Sequence, residues 1–128
     1  IGSSMVTNWS LTQLCSSELK EELHQSNEYL ESLLSRPVDM FAYPYGTFTH
    51  YSKKIVRAVA ECGYSLAVTA CFSSMNRSGN NYLLRRLFFE EKDIPKTMQA
   101  KLEGKYDWYF YAEFIDSLVM KLGLRSPE

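Results

Sequence analysis

Hydrophobic residues recur along the chain at intervals that alternate between the helical and the extended period. Between Glu18 and Leu34 the apolar positions fall at helical spacing (Leu19, Leu23, Leu30, Leu33 and Leu34), which predicts an amphipathic helix with Ser16 or Ser17 as its N-cap. The preceding residues, 1–14, are polar and irregular. They predict the end of a strand followed by a loop.

A short apolar run follows this helix at Met40–Tyr43 and lies between Pro37 and Pro44. The run is too short for a helix and predicts a buried parallel strand. Pro44 fixes its own backbone angle, and Gly46 allows a turn that a residue with a Cβ would resist. A stiff turn at the carboxyl end of a parallel strand is where α/β proteins usually place ligand groups. An ordinary strand-to-helix loop is the alternative interpretation.

The same alternation continues through the second half of the chain. Ser52–Cys62 predicts a second amphipathic helix and Tyr64–Ala70 the next strand. Because a helix lies on each crossover, we expect a parallel sheet with right-handed connections. The remaining elements predicted are a turn-rich loop at 73–81, a strand at Tyr82–Phe89, a helix capped by Asp93 that ends near Leu102, and an aromatic-rich packing helix at 106–122.

The composition favours one globular domain of 128 residues, of which 45% are hydrophobic. The net charge is -1, and no basic stripe interleaved with aromatic residues suggests a nucleic-acid partner. No apolar run approaches the roughly 20 residues that a transmembrane segment requires. Three cysteines without Cys-x-x-Cys spacing argue against a disulfide framework and a structural zinc site. We interpret Cys15, Cys62 and Cys71 as buried or incidental thiols.

Two histidines and two adjacent arginines are further candidate functional side chains. His24 follows Leu23 at the edge of the apolar stripe and is interpreted as a solvated or hydrogen-bonded structural residue. His50 follows the turn and is a candidate ligand contact, with a solvated loop histidine as the alternative. Arg85 and Arg86 point to opposite faces of an extended segment, so one of them is expected to face a carboxylate inside the protein.

Five short motifs follow one another along the chain. They are Ile1–Asn8, Phe41-Ala42-Tyr43-Pro44-Tyr45-Gly46, a helix that ends in Cys62-Gly63-Tyr64, Ala67-Val68-Thr69, and Leu84-Arg85-Arg86. Their order and separation resemble those of the polysaccharide deacetylases, which form carbohydrate esterase family four. The resemblance covers residues 1–104 and leaves 105–128 as a C-terminal aromatic-rich helix of the same single domain.

The resemblance implies both a fold and a chemistry. Members of the family form a distorted (β/α) barrel, so this chain is expected to be an α/β protein with a partial (β/α) barrel of mostly parallel strands and covering helices. They remove acetyl groups from N-acetylated sugars, commonly polymers of N-acetylglucosamine, with a divalent metal such as zinc. Relatives are often secreted or associated with the cell envelope, and the sequence itself does not indicate a localisation.

The metal ligands of the family are the part of the site that this sequence does not match. One Asp and two His bind the metal, and the two histidine positions fall on Ser4 and Asn8. A hydroxyl and a carboxamide are poor substitutes for imidazole on zinc. The Asp-Asp block of the family lies upstream of the first residue printed, and no late Leu-x-His block follows Ala70. We therefore expect no metal or other cofactor in this chain and predict a degenerate active site.

The turn is the part of the family site that the sequence retains. The resemblance implies that the backbone N–H of Tyr45 helps to hold the developing oxyanion. It also implies that the Pro-Tyr-Gly segment forms one wall of the substrate groove. The predicted substrate contacts are Tyr43, Pro44, Tyr45, Gly46 and His50. The rings of Tyr43, Tyr45, Phe48 and Tyr51 are expected to be exposed.

Three functional hypotheses follow. The first is a deacetylase-like domain of carbohydrate metabolism that is inactive or incomplete as this chain stands. The second is a non-catalytic carbohydrate-binding or protein-interaction module that keeps the groove. In the third, residues upstream or from another chain complete the site. The expected partner is an N-acetylated oligosaccharide or polysaccharide. Open sheet edges favour a homodimer unless the terminal helix covers one of them.

Overall fold

A parallel sheet of three strands, accompanied by four α-helices, makes up the part of the chain that the structure describes. The computed structural model describes residues 1–7, 11–74, 76 and 79–123. In chain order the elements are a 3-10 turn (Leu11–Gln13), α1 (Ser16–Leu34), β1 (Met40–Ala42), α2 (Lys53–Glu61), β2 (Leu66–Phe72), β3 (Leu84–Arg86), α3 (Pro95–Leu102) and α4 (Trp108–Lys121). The predicted order of helices and strands is confirmed. None of these helices has both the length and the apolar character needed to cross a bilayer.

The strands lie side by side in the order β1–β2–β3, and both pairs are parallel. Met40 lies opposite Leu66 in the register of β1 and β2. On the other side of β1, Ser3 forms a parallel bridge with Phe41. There the Ser3 N–H donates to the Met40 carbonyl and the Ala42 N–H donates to the Ser3 carbonyl, both at 2.8 Å. The opening residues therefore form the strand end that the sequence predicts.

Buried side chains from both early helices and from the sheet form one apolar core. Its members include Leu19, Leu23, Phe41, Ile55, Val59 and Ala67. The ring of Tyr64, which is also fully buried, packs on Phe41 with 5.2 Å between ring centroids. Its hydroxyl donates to the Leu23 carbonyl at 3.1 Å. Because this polar end has a partner inside the protein, the ring is buried without an unsatisfied hydroxyl.

The boundaries of two strands differ from the prediction. β2 begins and ends two residues later than the pattern indicates, and β3 covers three residues instead of the whole of Tyr82–Phe89. Before β3, the Tyr82 N–H donates to the Asn80 side-chain oxygen at 2.9 Å and belongs to a turn. An apolar run does not indicate where a local side-chain hydrogen bond replaces strand pairing.

The predicted N-cap of α3, Asp93, is wrong. The helix starts at Pro95, and the Thr97 hydroxyl accepts a hydrogen bond from the Ile94 N–H at 3.1 Å. Asp93 instead forms an ion pair with Lys101 in the last turn of α3, with 2.5 Å between Oδ2 and Nζ. The two side chains are only 7% and 12% exposed. The hydrogen bond from Lys101 lowers the pKa of Asp93.

Helix α4 packs on the loop after β1 with part of its aromatic surface, as predicted for a packing helix. Phe110 and Phe114 contact Phe48 edge-on, with 5.1 and 5.4 Å between ring centroids. At the start of the helix, the Asp107 carboxylate accepts hydrogen bonds from the N–H and the hydroxyl of Ser74 at 2.7 and 2.8 Å. Other apolar side chains of α4 remain exposed: Trp108, Tyr111, Ile115 and Leu118.

We expect the variant Lys101→Met to unfold at a lower temperature than the wild type near neutral pH, because it leaves the Asp93 carboxylate enclosed without its cation. A carboxyl whose pKa is lowered by folding stabilises the protein above its unfolded pKa, and this contribution disappears as the pH falls through the folded pKa. The difference in melting temperature should therefore shrink below about pH 4. Thermal unfolding followed by circular dichroism measures it.

Lys105→Met is the matched control for this prediction. Lys105 pairs with Glu103, but their side chains are 68% and 43% exposed, and an exposed pair contributes little to stability. Equal losses in the two variants at neutral pH would contradict the role assigned to the enclosed pair. So would a deficit of Lys101→Met that stays constant as the pH falls below about 4.

Candidate functional site

β1 ends in a tight turn formed by Pro44, Tyr45 and Gly46. The hydrogen bonds between β1 and β2 end where the Tyr43 N–H donates to the Val68 carbonyl at 3.1 Å. Pro44 has no N–H with which to continue the ladder, and the Gly46 N–H donates back to the Pro44 carbonyl at 2.6 Å. Tyr45 and Gly46 both have left-handed backbone angles, with φ of +58° and +56°.

Gly46 holds the turn against the neighbouring strand. The Ala70 N–H of β2 donates to the Gly46 carbonyl at 2.9 Å. A Cβ on Gly46 would lie 2.5 Å from the Ala70 nitrogen, a distance at which the backbone must move. The position therefore requires glycine for its backbone angle and also for the space around it.

Tyr45 presents both its ring and its N–H at this turn. The side chain is 61% exposed, and its ring faces His50 with 5.2 Å between ring centroids. Apart from Ser35, no other non-glycine residue in the described ranges has a positive φ. Such a conformation costs energy and persists only where the surrounding structure imposes it. None of the described residues accepts a hydrogen bond from the Tyr45 N–H.

His50 is fixed beside Tyr45 by the loop that follows the turn. Its backbone N–H donates to the Thr47 carbonyl at 2.9 Å, and its Nδ1 lies 2.6 Å from the Thr47 hydroxyl. The side chain is half-buried. The hydrogen bonds of this ring within the described residues engage Nδ1, with the Thr47 and Thr49 hydroxyls as partners.

The exposed position predicted for Tyr43 is wrong. Its side chain is 2% exposed and its hydroxyl donates to the Tyr82 carbonyl at 3.0 Å. Burial raises the pKa of this phenol well above its usual range. Pro44 is buried as well. Both residues therefore support the turn from inside, and Tyr45 and His50 are the predicted contact residues whose side chains reach the surface.

Phe48 and Tyr51 are only partly exposed. The ring of Phe48 is covered by α4, as described above. The Tyr51 hydroxyl lies 3.8 Å from the Cys71 Sγ, and burial raises the pKa of Tyr51 strongly. Burial also raises the pKa of the Cys71 thiol, which disfavours the thiolate that a nucleophile requires. Neither ring has the exposed position predicted from the sequence, and Cys71 is a packing residue.

The residues aligned with the family's metal ligands do not assemble a metal site in the described part of the chain. Ser4 is exposed and lines a cavity of about 520 Å³ together with residues of α1 such as Gln25 and Tyr29. Asn8 lies outside the described residues. Within those residues, no three His, Cys, Asp or Glu side chains are grouped closely enough to hold a metal ion. The described residues therefore do not by themselves supply the ligands of a zinc centre.

The two arginines of β3 meet partners other than the predicted carboxylate. The Nε of Arg86 donates to the Thr69 carbonyl at 2.7 Å. The guanidinium of Arg85 lies over the Phe110 ring, 3.5 Å from its centroid. Both arginines therefore connect β3 to its neighbours, one to β2 and the other to α4 through a cation–π contact.

A second cavity lies at the carboxyl edge of the sheet, where the Tyr45 turn also lies, and was not predicted from the sequence. It has a volume of about 580 Å³, and its lining includes Phe72, Phe88, Tyr106, Tyr109 and Glu113. The location of this cavity could have been predicted, because parallel strands bring their carboxyl ends to one edge of the sheet. The contribution of α4 depends on how that helix packs on β2, which no local pattern specifies.

A family model described as polysaccharide deacetylase matches residues 1–67 of this chain, just over half of the 128 residues. No curated protein matches the chain.

Among solved structures, the Streptococcus pyogenes deacetylase PplD in complex with acetate superposes with a TM-score of 0.70 and 22% identity, over 79% of this chain and 43% of that one. BC0361, a polysaccharide deacetylase from Bacillus cereus, has a TM-score of 0.67 and 21% identity, over 79% of this chain and 31% of that one. IcaB from Ammonifex degensii has a TM-score of 0.53 and 21% identity, over 70% of this chain and 38% of that one. The chain thus spans less than half the length of these proteins. The likeness confirms the predicted partial (β/α) barrel.

We expect Gly46→Ala to lower the free energy of unfolding by about 3 kcal/mol. Roughly 1 kcal/mol comes from the left-handed backbone, and the rest comes from the contact with the Ala70 nitrogen. Gly79→Ala is a matched control, because Gly79 has a φ of +63° but no atom of the described residues lies within 4 Å of the added Cβ. The control variant should lose only the roughly 1 kcal/mol of unfolding free energy that comes from the left-handed backbone. Urea unfolding of both variants measures the difference, and equal losses would contradict the close approach of the turn to β2.

Proposed function

The chain belongs to the polysaccharide deacetylase family, and from that premise we propose that it is a deacetylase-type carbohydrate domain that does not hydrolyse N-acetyl groups as it stands. Its ligand class is the N-acetylated amino-sugar oligosaccharide or polysaccharide. Residues 1–128 act as a single domain in this proposal, with 1–104 as the deacetylase-like region and 105–128 as the C-terminal aromatic-rich helix. The observation that carries it is the strained turn at Tyr45.

The N–H of Tyr45 is suited to bind the carbonyl oxygen of an acetyl group. Attack on an amide carbonyl places negative charge on that oxygen, and a fixed N–H stabilises the charge without having to reorient. The left-handed backbone of Tyr45 and the neighbouring Gly46 fix the direction of this donor. PplD was solved in complex with acetate, and acetate presents an oxygen of the same kind. It is therefore a simple probe of the turn.

Activation of water is the part of hydrolysis for which the described residues offer no metal-binding group. A divalent metal supplies it in relatives by lowering the pKa of a bound water. Ser4 and Asn8 bring neutral donors to the positions of two imidazoles. Neither His24 nor His50 belongs to a group of metal-binding side chains among the residues described. We therefore assign no hydrolytic step to this chain and propose that it recognises the acetylated sugar.

A non-catalytic binding module is the alternative function. The exposed ring of Tyr45 beside His50 supports its carbohydrate-binding form, because a sugar can stack on an exposed aromatic face. The exposed apolar side chains of α4 support a protein-interaction form.

Completion of the site by further residues is a third proposal. Those residues would come from a longer chain or from a second copy. Within the described residues, no strand pairs with the outer side of β3, and an open edge of this kind favours association. A homodimer formed through that edge predicts a mass of twice 14.8 kDa in light scattering. A monodisperse monomer at high concentration would count against it.

We expect acetate and N-acetylglucosamine oligosaccharides to shift the amide resonance of Tyr45 and the ring resonances of His50 in two-dimensional NMR spectra. The physical reason is a hydrogen bond from the Tyr45 N–H to the acetyl oxygen. Sodium chloride at equal ionic strength is the control for unspecific anion effects. The variant Tyr45→Gly keeps the N–H, so it should retain the acetate shift while weakening oligosaccharide binding several-fold. Absence of any shift at residues 45–50 would contradict acyl recognition at this turn.

We expect calorimetric titration with zinc to find no one-to-one site tighter than micromolar in the wild type. The variant that combines Ser4→His with Asn8→His restores two imidazoles and should bind zinc at least tenfold more tightly. An assay for free amine on an N-acetylglucosamine oligosaccharide should detect no product with the wild type. A sub-micromolar zinc site or steady amine release in the wild type would overturn the assignment of an inactive domain.

A further inference from the structure

The second cavity lies where α/β proteins commonly bind ligands, and the function proposed above does not use it. Phe72 is the last residue of β2, and Phe88 follows the end of β3 by two residues. Both line the cavity, so its floor is the carboxyl edge of the parallel sheet. Its volume of about 580 Å³ is typical of small-ligand pockets. Neither Tyr45 nor His50 lines it.

The charges that line this cavity are balanced except at one carboxylate. Asp93 pairs with Lys101, and Glu90 pairs with Lys92 at 2.8 Å on the rim. Among the residues that the structure describes, no cation forms an ion pair with Glu113. Glu113 is exposed at the cavity mouth, where partial desolvation raises the pKa of its carboxyl although the Phe72 N–H donates to it. The cavity therefore holds one negative charge that lacks a positive partner.

Aromatic rings stand beside that carboxylate. Tyr106 and Tyr109 are nearly parallel, at 19°, with 6.5 Å between ring centroids. Phe72 meets Tyr109 edge-on at 6.2 Å. Tyr109 and Glu113 are four residues apart on α4 and share one face of the helix. An aromatic face next to a lone carboxylate favours a ligand that has an apolar side and a positive charge.

From this combination we propose that the cavity binds an amino sugar with a free, protonated amine, as in a glucosamine unit of a partly deacetylated polymer. The ammonium pairs with Glu113, and the C–H face of the sugar ring stacks on Tyr106 and Tyr109. This inference rests on the proposed function, because it assumes that the chain meets amino-sugar polymers. It assigns the acetylated unit to the Tyr45 turn and a deacetylated unit to a separate site.

Titration of the whole chain with two trisaccharides, followed by two-dimensional NMR, tests the proposal. The glucosamine trimer carries three amines, and the N-acetylglucosamine trimer is its uncharged counterpart. We expect the glucosamine trimer to shift the amides of Phe72, Tyr109 and Glu113, with an affinity that falls as salt is added. The acetylated trimer should bind at these residues at least tenfold more weakly.

The variant Glu113→Gln separates charge from shape. It keeps the size of the side chain and should weaken binding of the glucosamine trimer at least tenfold. Asp116→Asn is the matched control, since it makes the same charge change on the same helix outside the cavity lining. It should leave the affinity within about twofold. Tyr109→Ala should also weaken binding, and the unchanged dispersion of the spectra verifies that each variant is folded.

Two results would overturn the proposal. One is equal binding of both trimers at Phe72, Tyr109 and Glu113, which would indicate a site for neutral sugars. The other is unchanged affinity in Glu113→Gln. Either result leaves the acetate-induced shift at Tyr45 untouched. Conversely, loss of that shift with intact binding at Glu113 would refute the proposed function and not this second site.

Discussion

The close approach between the turn after β1 and the backbone of β2 is the constraint on which the candidate site depends. The hydrogen bond from Ala70 to Gly46 places two backbones where no Cβ fits. With Gly46 fixed on one side and Pro44 on the other, Tyr45 adopts a left-handed angle that its side chain disfavours. The sheet therefore imposes the strain at Tyr45 and with it the direction of the N–H. A local preference of the sequence would not produce this geometry.

Buried rings beneath the turn also restrict its movement. Tyr43 lies between Phe41 and Tyr51, with ring centroids 5.4 Å away on both sides, and its hydroxyl binds the Tyr82 carbonyl. The Tyr64 hydroxyl likewise donates to a backbone carbonyl, that of Leu23 in α1. A buried phenol without such a partner would cost stability, so these two hydrogen bonds fix where each ring can lie. The turn is thus an edge of the core, and the buried rings beneath it help to fix its backbone.

Much of this fold could be predicted because its helices and strands differ clearly in hydrophobic period. α1 and α2 follow from their apolar spacing, and β1 follows from a run enclosed by prolines. The direction of Tyr43 could not be predicted, since a strand of three apolar residues does not distinguish its two faces. The pairing of Asp93 with Lys101 joins residues eight positions apart across a helix start, where local capping is the simpler expectation. Glu113 becomes a candidate only when α4 is placed on β2.

The residues that hold the turn and those that would hold a metal contribute differently to the folding free energy. Ser3 is fully buried and its hydroxyl lies 2.5 Å from that of Ser26, whereas Ser4 beside it is exposed. Replacing a side chain at an exposed position removes a donor from the site without removing a contact from the core. The same fold can therefore carry the Tyr45 turn with or without metal ligands. For this reason the likeness to deacetylase structures shows the fold alone, while hydrolysis depends on a few surface side chains that folding does not require.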